Sequence, residues 1–397
     1  MTHSEPSIYL DHAATTPVRP EARTAVRLWL ERCGNASSVH AYGRRAREML
    51  DIARDGIAEA LHCSPGEIIF TSGGTESDNL AVMGAARAAG GRKHVLVSSV
   101  EHHAVLHAAD ALAAEGFEIE TVPVDAAGLV SPEVVASLVR PDTAIVSVMA
   151  ASNEIGTIQP VREIASICHM HGTVFHTDAV QALGHIAVSV VDWGVDLLSL
   201  SAHKFGGPMG AGVLYVRDGI EVRPTLFGGA QERGRRGGTE NVPALAGMDS
   251  AVRTLGLGKD QGGAEVSAGQ ALWAAEARRI RRLRDRLRFQ LAGIPGAWFN
   301  TPAEGVIPGI LNVGFEGALA ETLLLSLDLE GVAASSGSAC ASGSMEPSHV
   351  LRSMGLEPTR AKACVRFSLG WTTTSEEIDQ ATMVIERVVE RARSANH

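Results

Sequence analysis

The feature that most constrains this chain is an alternation. From about residue 44 to 220, apolar runs of strand length trade places with stretches patterned for helix. Over 44–61, Ala46, Met49, Leu50, Ala53 and Ile57 recur at spacings of three and four, which predicts an amphipathic helix. Residues 67–70 read as a strand, run into Ser72-Gly73-Gly74-Thr75, and lead to a helix over about 76–89. The runs 94–98, 144–149, 173–176, 197–199 and 212–216 read as further strands, with a helix over 161–171 in one of the gaps. Alternating elements of this kind predict an α/β fold, a largely parallel sheet covered by helices on both faces.

At 397 residues the chain is long enough to bury a full core without disulfides, and its length suggests about two to three domains. The formal charge of −10 argues against a surface built for nucleic acid. The first ten residues carry no basic stretch followed by an apolar one, so no signal peptide is expected. Apolar runs are strand-sized, well short of the ~18 residues of a membrane span. Five cysteines without a C-x-x-C argue against a disulfide framework and for a reducing cytoplasm. The glycine-rich stretch 256–269 breaks the alternation and suggests a domain boundary. A helix over 274–292 follows, with Ile280, Leu283, Leu287 and Leu291 on one face and seven arginines between 278 and 288. Such a face is either simply solvated or a dock for an acidic partner.

Five places carry candidate chemistry. Gly73-Gly74-Thr75 follows a strand and opens a helix, where free N–H groups suit a phosphate; the alternative is an ordinary Ser/Thr cap. Asp178 closes a strand in Phe175-His176-Thr177-Asp178 and could pair with a protonated ring nitrogen, or merely cap the next segment. Lys204, in Ser201-Ala202-His203-Lys204 before two glycines, suits Schiff-base chemistry with a carbonyl cofactor, and Ser201 and His203 flank it as phosphate donors. Cys340 sits among twelve consecutive small residues, 333–344, a setting for an exposed, reactive thiol or for an incidental linker cysteine. Arg366, between apolar neighbours, needs an anion: a substrate carboxylate or a structural ion pair. The histidine groups around 102–107 and 169–176 lack the order and convergence of a metal site, so no metal is expected, and His102 is better used stacked on an aromatic cofactor.

In this order, these motifs resemble the class V aminotransferases of pyridoxal phosphate fold type I. They most resemble the cysteine desulfurases of the NifS/IscS type, over about residues 8–390. Tyr9-Leu10-Asp11-His12-Ala13-Ala14, Gly34-Asn35-Ala36, Glu101-His102-His103, Asn153-Glu154-Ile155-Gly156, Gly237-Gly238-Thr239-Glu240-Asn241 and Ser335-Ser336-Gly337-Ser338-Ala339-Cys340 add to the likeness. The last favours the NifS/IscS branch over the SufS branch. Ala341 and Ala202 stand where relatives often carry Thr and Gly, and the end is shorter than in IscS-type members.

The resemblance implies a large domain, 16–258, with a mostly parallel seven-stranded sheet, and a smaller α+β domain from 1–15 and 259–397. It implies pyridoxal 5'-phosphate as cofactor, held covalently by Lys204. Asp178 would face the ring nitrogen, Gln181 the phenolic oxygen, and His102 would stack on the ring and move protons. Gly74, Thr75, Ser201 and His203 would hold the phosphate, with Thr239 reaching in from a second subunit of a homodimer. Arg366 and Asn153 would hold the substrate carboxylate, with Asn35 nearby. L-cysteine would yield L-alanine and a persulfide on Cys340, for transfer to an acceptor in iron–sulfur cluster assembly or in tRNA or cofactor thiolation. Selenocysteine lyase, class V aminotransferase, or a non-catalytic sulfur-assembly scaffold are the competing readings.

Overall fold

A computed structural model describes residues 8–257, 267–337 and 346–394, the side chains of 267–271 excepted. The predicted sheet is present with seven strands. Their spatial order is Ile68–Thr71, Gly212–Val216, Leu197–Ser201, Val174–Asp178, Thr143–Ser147, His94–Ser98 and Glu118–Val122. Gly212–Val216 pairs antiparallel with both neighbours, and the other pairings are parallel. Every predicted strand lies within a few residues of its observed bounds, because these strands are buried on both faces and read as continuous apolar runs. Glu118–Val122 escapes such a reading: it is an edge strand of sequence Glu-Ile-Glu-Thr-Val with mostly solvated side chains.

The parallel strands point their carboxyl ends the same way, where open α/β sheets bind ligands. The residues that follow those ends include Asn153, Lys204 and His102. Helix Gly74–Ala88 starts directly beyond Ile68–Thr71, so its amino terminus opens at the same rim.

A second apolar core gathers Leu10, Leu287, Leu311, Phe315, Phe367 and Ile385, among others. It packs a three-stranded antiparallel sheet, ordered Cys364–Ser368, Ile310–Phe315, Ala297–Phe299. It also includes the parallel pair Ile8–Tyr9 with Val332–Ala333. Helices Ser267–Leu291 and Ser375–Ser394 contribute to it. On the first of these, four of the seven arginines are tied into the fold. Arg279 reaches the Thr373 and Trp371 carbonyls, Arg284 and Arg286 pair with Asp285 and Asp379, and Arg288 donates to the Thr301 carbonyl.

Candidate active site

A cavity of about 380 Å³ opens at the carboxyl ends of the parallel strands. Its phosphate-like end is built by Gly74, Thr75, Ser201 and His203. Gly73, the residue before the helix, has no side chain and nothing else caps the first turn, so the Ser/Thr-cap alternative does not describe this terminus. The helix thereby keeps both its unpaired N–H groups and its positive end available to an anion. Gly74 is required by close approach: a Cβ there would lie 2.8 Å from Val180 Cγ2.

Lys204 and Asp178 face the middle of the cavity. The Lys204 Nζ donates to the carbonyls of Ala13 (2.6 Å) and Ala14 (2.8 Å), and Gln181 Nε2 donates to the same Ala13 carbonyl at 2.9 Å. Burial, with the nearby Arg366 cation, lowers the Lys204 pKa from 10.5 to about 8. Asp178 accepts one hydrogen bond from Val180 N at 2.9 Å, so the capping role and the facing role coexist. Burial raises its pKa to about 6, against the opposing pull of that bond and of Lys204. A protonated ring nitrogen beside it would restore the carboxylate.

His102 caps helix His103–Ala114 by accepting Ala104 N at its Nδ1 (3.1 Å). Burial, then Lys204, pulls its pKa down to about 4. The ring is therefore neutral near pH 7, and its proton is assigned to Nε2 because Nδ1 is an acceptor.

Arg366 and Asn153 form the third side. Arg366 Nη2 pairs with Asp11 Oδ1 at 2.8 Å and Nη1 donates to the Asn153 carbonyl at 2.9 Å. Its Nε is buried and without a partner. The structural ion pair is thus real, yet these two contacts use only two of the guanidinium's five N–H donors, and the side chain lines the cavity.

Two expected residues lie outside this lining. Asn35 is exposed and accepts Ser37 N at 2.8 Å; Thr239 is exposed before helix Val242–Thr254. Cys340, with Ser338 and Ala339, lies outside the described residues. Among the described cysteines none lines the cavity. Burial pushes the thiols of Cys63 and Cys168 up to about 12 and that of Cys364 to about 11, so all three are poor nucleophiles.

The sequence reading missed three buried acids in the cavity wall, Asp78, Glu101 and Glu154. Glu101 accepts from Ser98 Oγ (2.5 Å) and Met149 N (2.7 Å), and burial raises its pKa to about 8. Asp78 is pushed well above the usual carboxylate range by burial and by Asp178. Both adjoin motifs already singled out, at Thr75 and at His102, and a polar residue on an otherwise buried helix face was the available signal for Asp78. His349 also lines the cavity, its Nε2 2.9 Å from the Glu101 carbonyl. The His103 and His107 rings stack at 5.1 Å, and among the described residues no group of three or more His, Cys, Asp or Glu could hold a metal ion.

The family model for aminotransferase class-V matches residues 8–381. The chain belongs to that family. A protein of Dictyoglomus turgidum described as cysteine desulfurase IscS is 44% identical over 390 residues, covering 98% of this chain and 95% of its own. A cysteine desulfurase IscS of Methanosarcina thermophila is also 44% identical, covering 98% and 93%. A solved structure described as a NifS-like protein superposes with a TM-score of 0.87 at 36% identity, covering 97% of this chain and 99% of that one. End-to-end likeness of this extent places the chain among the cysteine desulfurases, which depend on pyridoxal phosphate. The cavity fits that group: an uncapped helix terminus for phosphate, a buried carboxylate for the ring nitrogen and a lysine of lowered pKa for the aldehyde.

The neutral amine is the form that attacks an aldehyde. Because the folded protein lowers the Lys204 pKa, the neutral fraction climbs about tenfold per unit up to about pH 8 and is level above it. Cofactor capture by the apoprotein, followed by borohydride trapping, should trace that curve. A rate still climbing at pH 10 would mean an amine with the unperturbed 10.5.

Proposed function

We propose that this chain removes the sulfur of L-cysteine, releases L-alanine and carries the sulfur as a persulfide on Cys340. The observation that carries the reading is one cavity that holds Lys204, Asp178 and Arg366 and is also lined by Gly337, three residues before Cys340. Three residues of chain span at most about 11 Å, so the thiol is tethered to the cavity wall.

Pyridoxal phosphate, when bound, supplies an electron sink for the pair left at the substrate Cα. The Arg366 guanidinium and Asn153 receive the substrate carboxylate. Lys204 Nζ takes the Cα proton, helped by a pKa near working pH. His102, neutral and held by Ala104 N, would offer its Nε2–H to the bound cofactor and substrate. The Cys340 thiolate then attacks the substrate sulfur. One S–S bond forms, the Cβ–S bond breaks, and its electron pair stays on carbon, which is protonated to alanine. The net change is cysteine plus thiol to alanine plus persulfide.

A homodimer would let the exposed Thr239 complete a partner's phosphate site, and Asn35 near the substrate carboxylate belongs to the same reading. The division into 16–258 and 1–15 plus 259–397 is supported by the separate large apolar clusters of the two parts, while two smaller clusters, around Met149 with Leu351 and Ala151 with Ile310, join them. Among the described residues no helix is long and apolar enough to cross a membrane. Operation in the cytoplasm, and delivery to an iron–sulfur scaffold or a tRNA or cofactor thiolation protein, belong to this proposal.

Incubation with L-cysteine and a thiol reductant should give alanine and sulfide in equal amounts without any keto acid. Amino-group transfer to an added keto acid, with no sulfide, would instead identify an aminotransferase. Absence of both would favour the scaffold.

A further inference from the structure

Glu154 lines the cavity wall, is 2% exposed, and its carboxylate lies beside Gly337. It stands on a tight turn. Ser152 Oγ accepts both Glu154 N (3.2 Å) and Ile155 N (3.3 Å), Gly156 N returns to the Ser152 carbonyl at 3.0 Å, and Gly156 holds a φ of +82°. A carboxylate buried on such a pedestal requires partners.

Its carboxylate lies against residues on both sides of Cys340 in sequence, hydrogen-bonded on the carboxyl side and in close approach on the amino side. On the carboxyl side, Ser348 Oγ donates to Glu154 Oε2 at 2.5 Å. The same hydroxyl accepts Leu351 N at 3.2 Å, so both of its capacities are used and its rotamer is fixed. On the amino side, Gly337 adopts φ +91° and lies so close that a Cβ would start 2.9 Å from that same Oε2. The chain just before it is clamped as well: Ser335 and Arg366 exchange backbone hydrogen bonds, and Gly337 N donates to Ser335 Oγ at 3.2 Å. One oxygen thus bonds Ser348 and abuts Gly337, described residues on either side of 338–345.

We infer that Glu154 is a positioning residue for sulfur transfer, setting through Gly337 and Ser348 the launch point from which the Cys340 thiol reaches the substrate. It rests on the desulfurase reading above. A group in this role alters the probability of thiol–sulfur encounter and leaves cofactor capture and Cα proton removal untouched.

The test separates those steps in the holoenzyme. Cofactor content and exchange of the cysteine Cα proton with deuterium report the early steps, and alkylation of the persulfide at Cys340 after one turnover reports transfer. Glu154→Ala should retain cofactor and Cα exchange within about twofold while persulfide formation slows at least tenfold. Glu154→Gln keeps an acceptor for Ser348 and should recover to within about threefold. Ser348→Ala should slow transfer alone, and serves if Glu154→Ala does not fold. Wild-type persulfide rates in both alanine variants, or equal loss of exchange and transfer, would overturn the inference. Absence of any persulfide in the wild-type protein would instead overturn the desulfurase reading beneath it.

Discussion

Lys204→Ala is expected to lower the rate of sulfide release by at least about a thousandfold, the scale of losing both a covalent anchor and a general base. The protein should still fold. The lysine makes two hydrogen bonds to main-chain carbonyls, and its lowered pKa means that the charged form is disfavoured where it sits. The phosphate end would survive, since Gly74, Thr75, Ser201 and His203 do not depend on the amine. The variant should therefore bind cofactor reversibly, resist borohydride trapping, and release it on dialysis. A second consequence follows from charge. Lys204 holds the His102 pKa down, second only to burial, so its removal should raise the imidazole pKa above about 4, measurable by NMR titration. A Lys204→Ala protein that still traps cofactor on borohydride would place the covalent link on another amine.

Cys340→Ser should abolish persulfide formation, by more than about a hundredfold, with cofactor absorbance and Cα exchange unchanged. A hydroxyl is too weakly acidic to act as an anionic sulfur acceptor near pH 7. Another cysteine cannot easily stand in. Cys63, Cys168 and Cys364 are kept protonated by burial, and none of the described cysteines, exposed Cys33 included, lines the cavity. Mass spectrometry after one turnover would report the missing addition of one sulfur. Wild-type sulfide yield from Cys340→Ser would mean that the sulfur leaves without this thiol.

The parallel sheet was legible because its strands are buried on both faces and leave uninterrupted apolar runs, as in Val95-Leu96-Val97. Lys204 and Asp178 were legible because each is a charged residue at the carboxyl end of such a run. The edge strand Glu118–Val122 was not, since half-solvated strands carry little apolar signal. Glu101 and Glu154 were invisible as buried acids for a different reason. Their burial depends on Met149, Ser348 and Gly337, contacts 48 to 194 residues distant in sequence for which no local pattern exists. Arg366 was read as needing one anion, but the fold supplies one in Asp11 and leaves further guanidinium N–H groups on a side chain that lines the cavity.

The stretch from Ile8 to Thr16 runs from the second apolar core, at Ile8 and Leu10, to the cavity lining, at Ala13 and Ala14. Ile8 and Tyr9 pair with Val332 and Ala333, Asp11 grips Arg366, the Ala13 and Ala14 carbonyls hold Lys204, and Thr16 N bonds the His203 carbonyl. A few residues near the amino end thus act as a drawstring through the catalytic chamber. A protease nick or an over-trimmed expression boundary inside them would slacken carboxylate recognition and cofactor attachment at once.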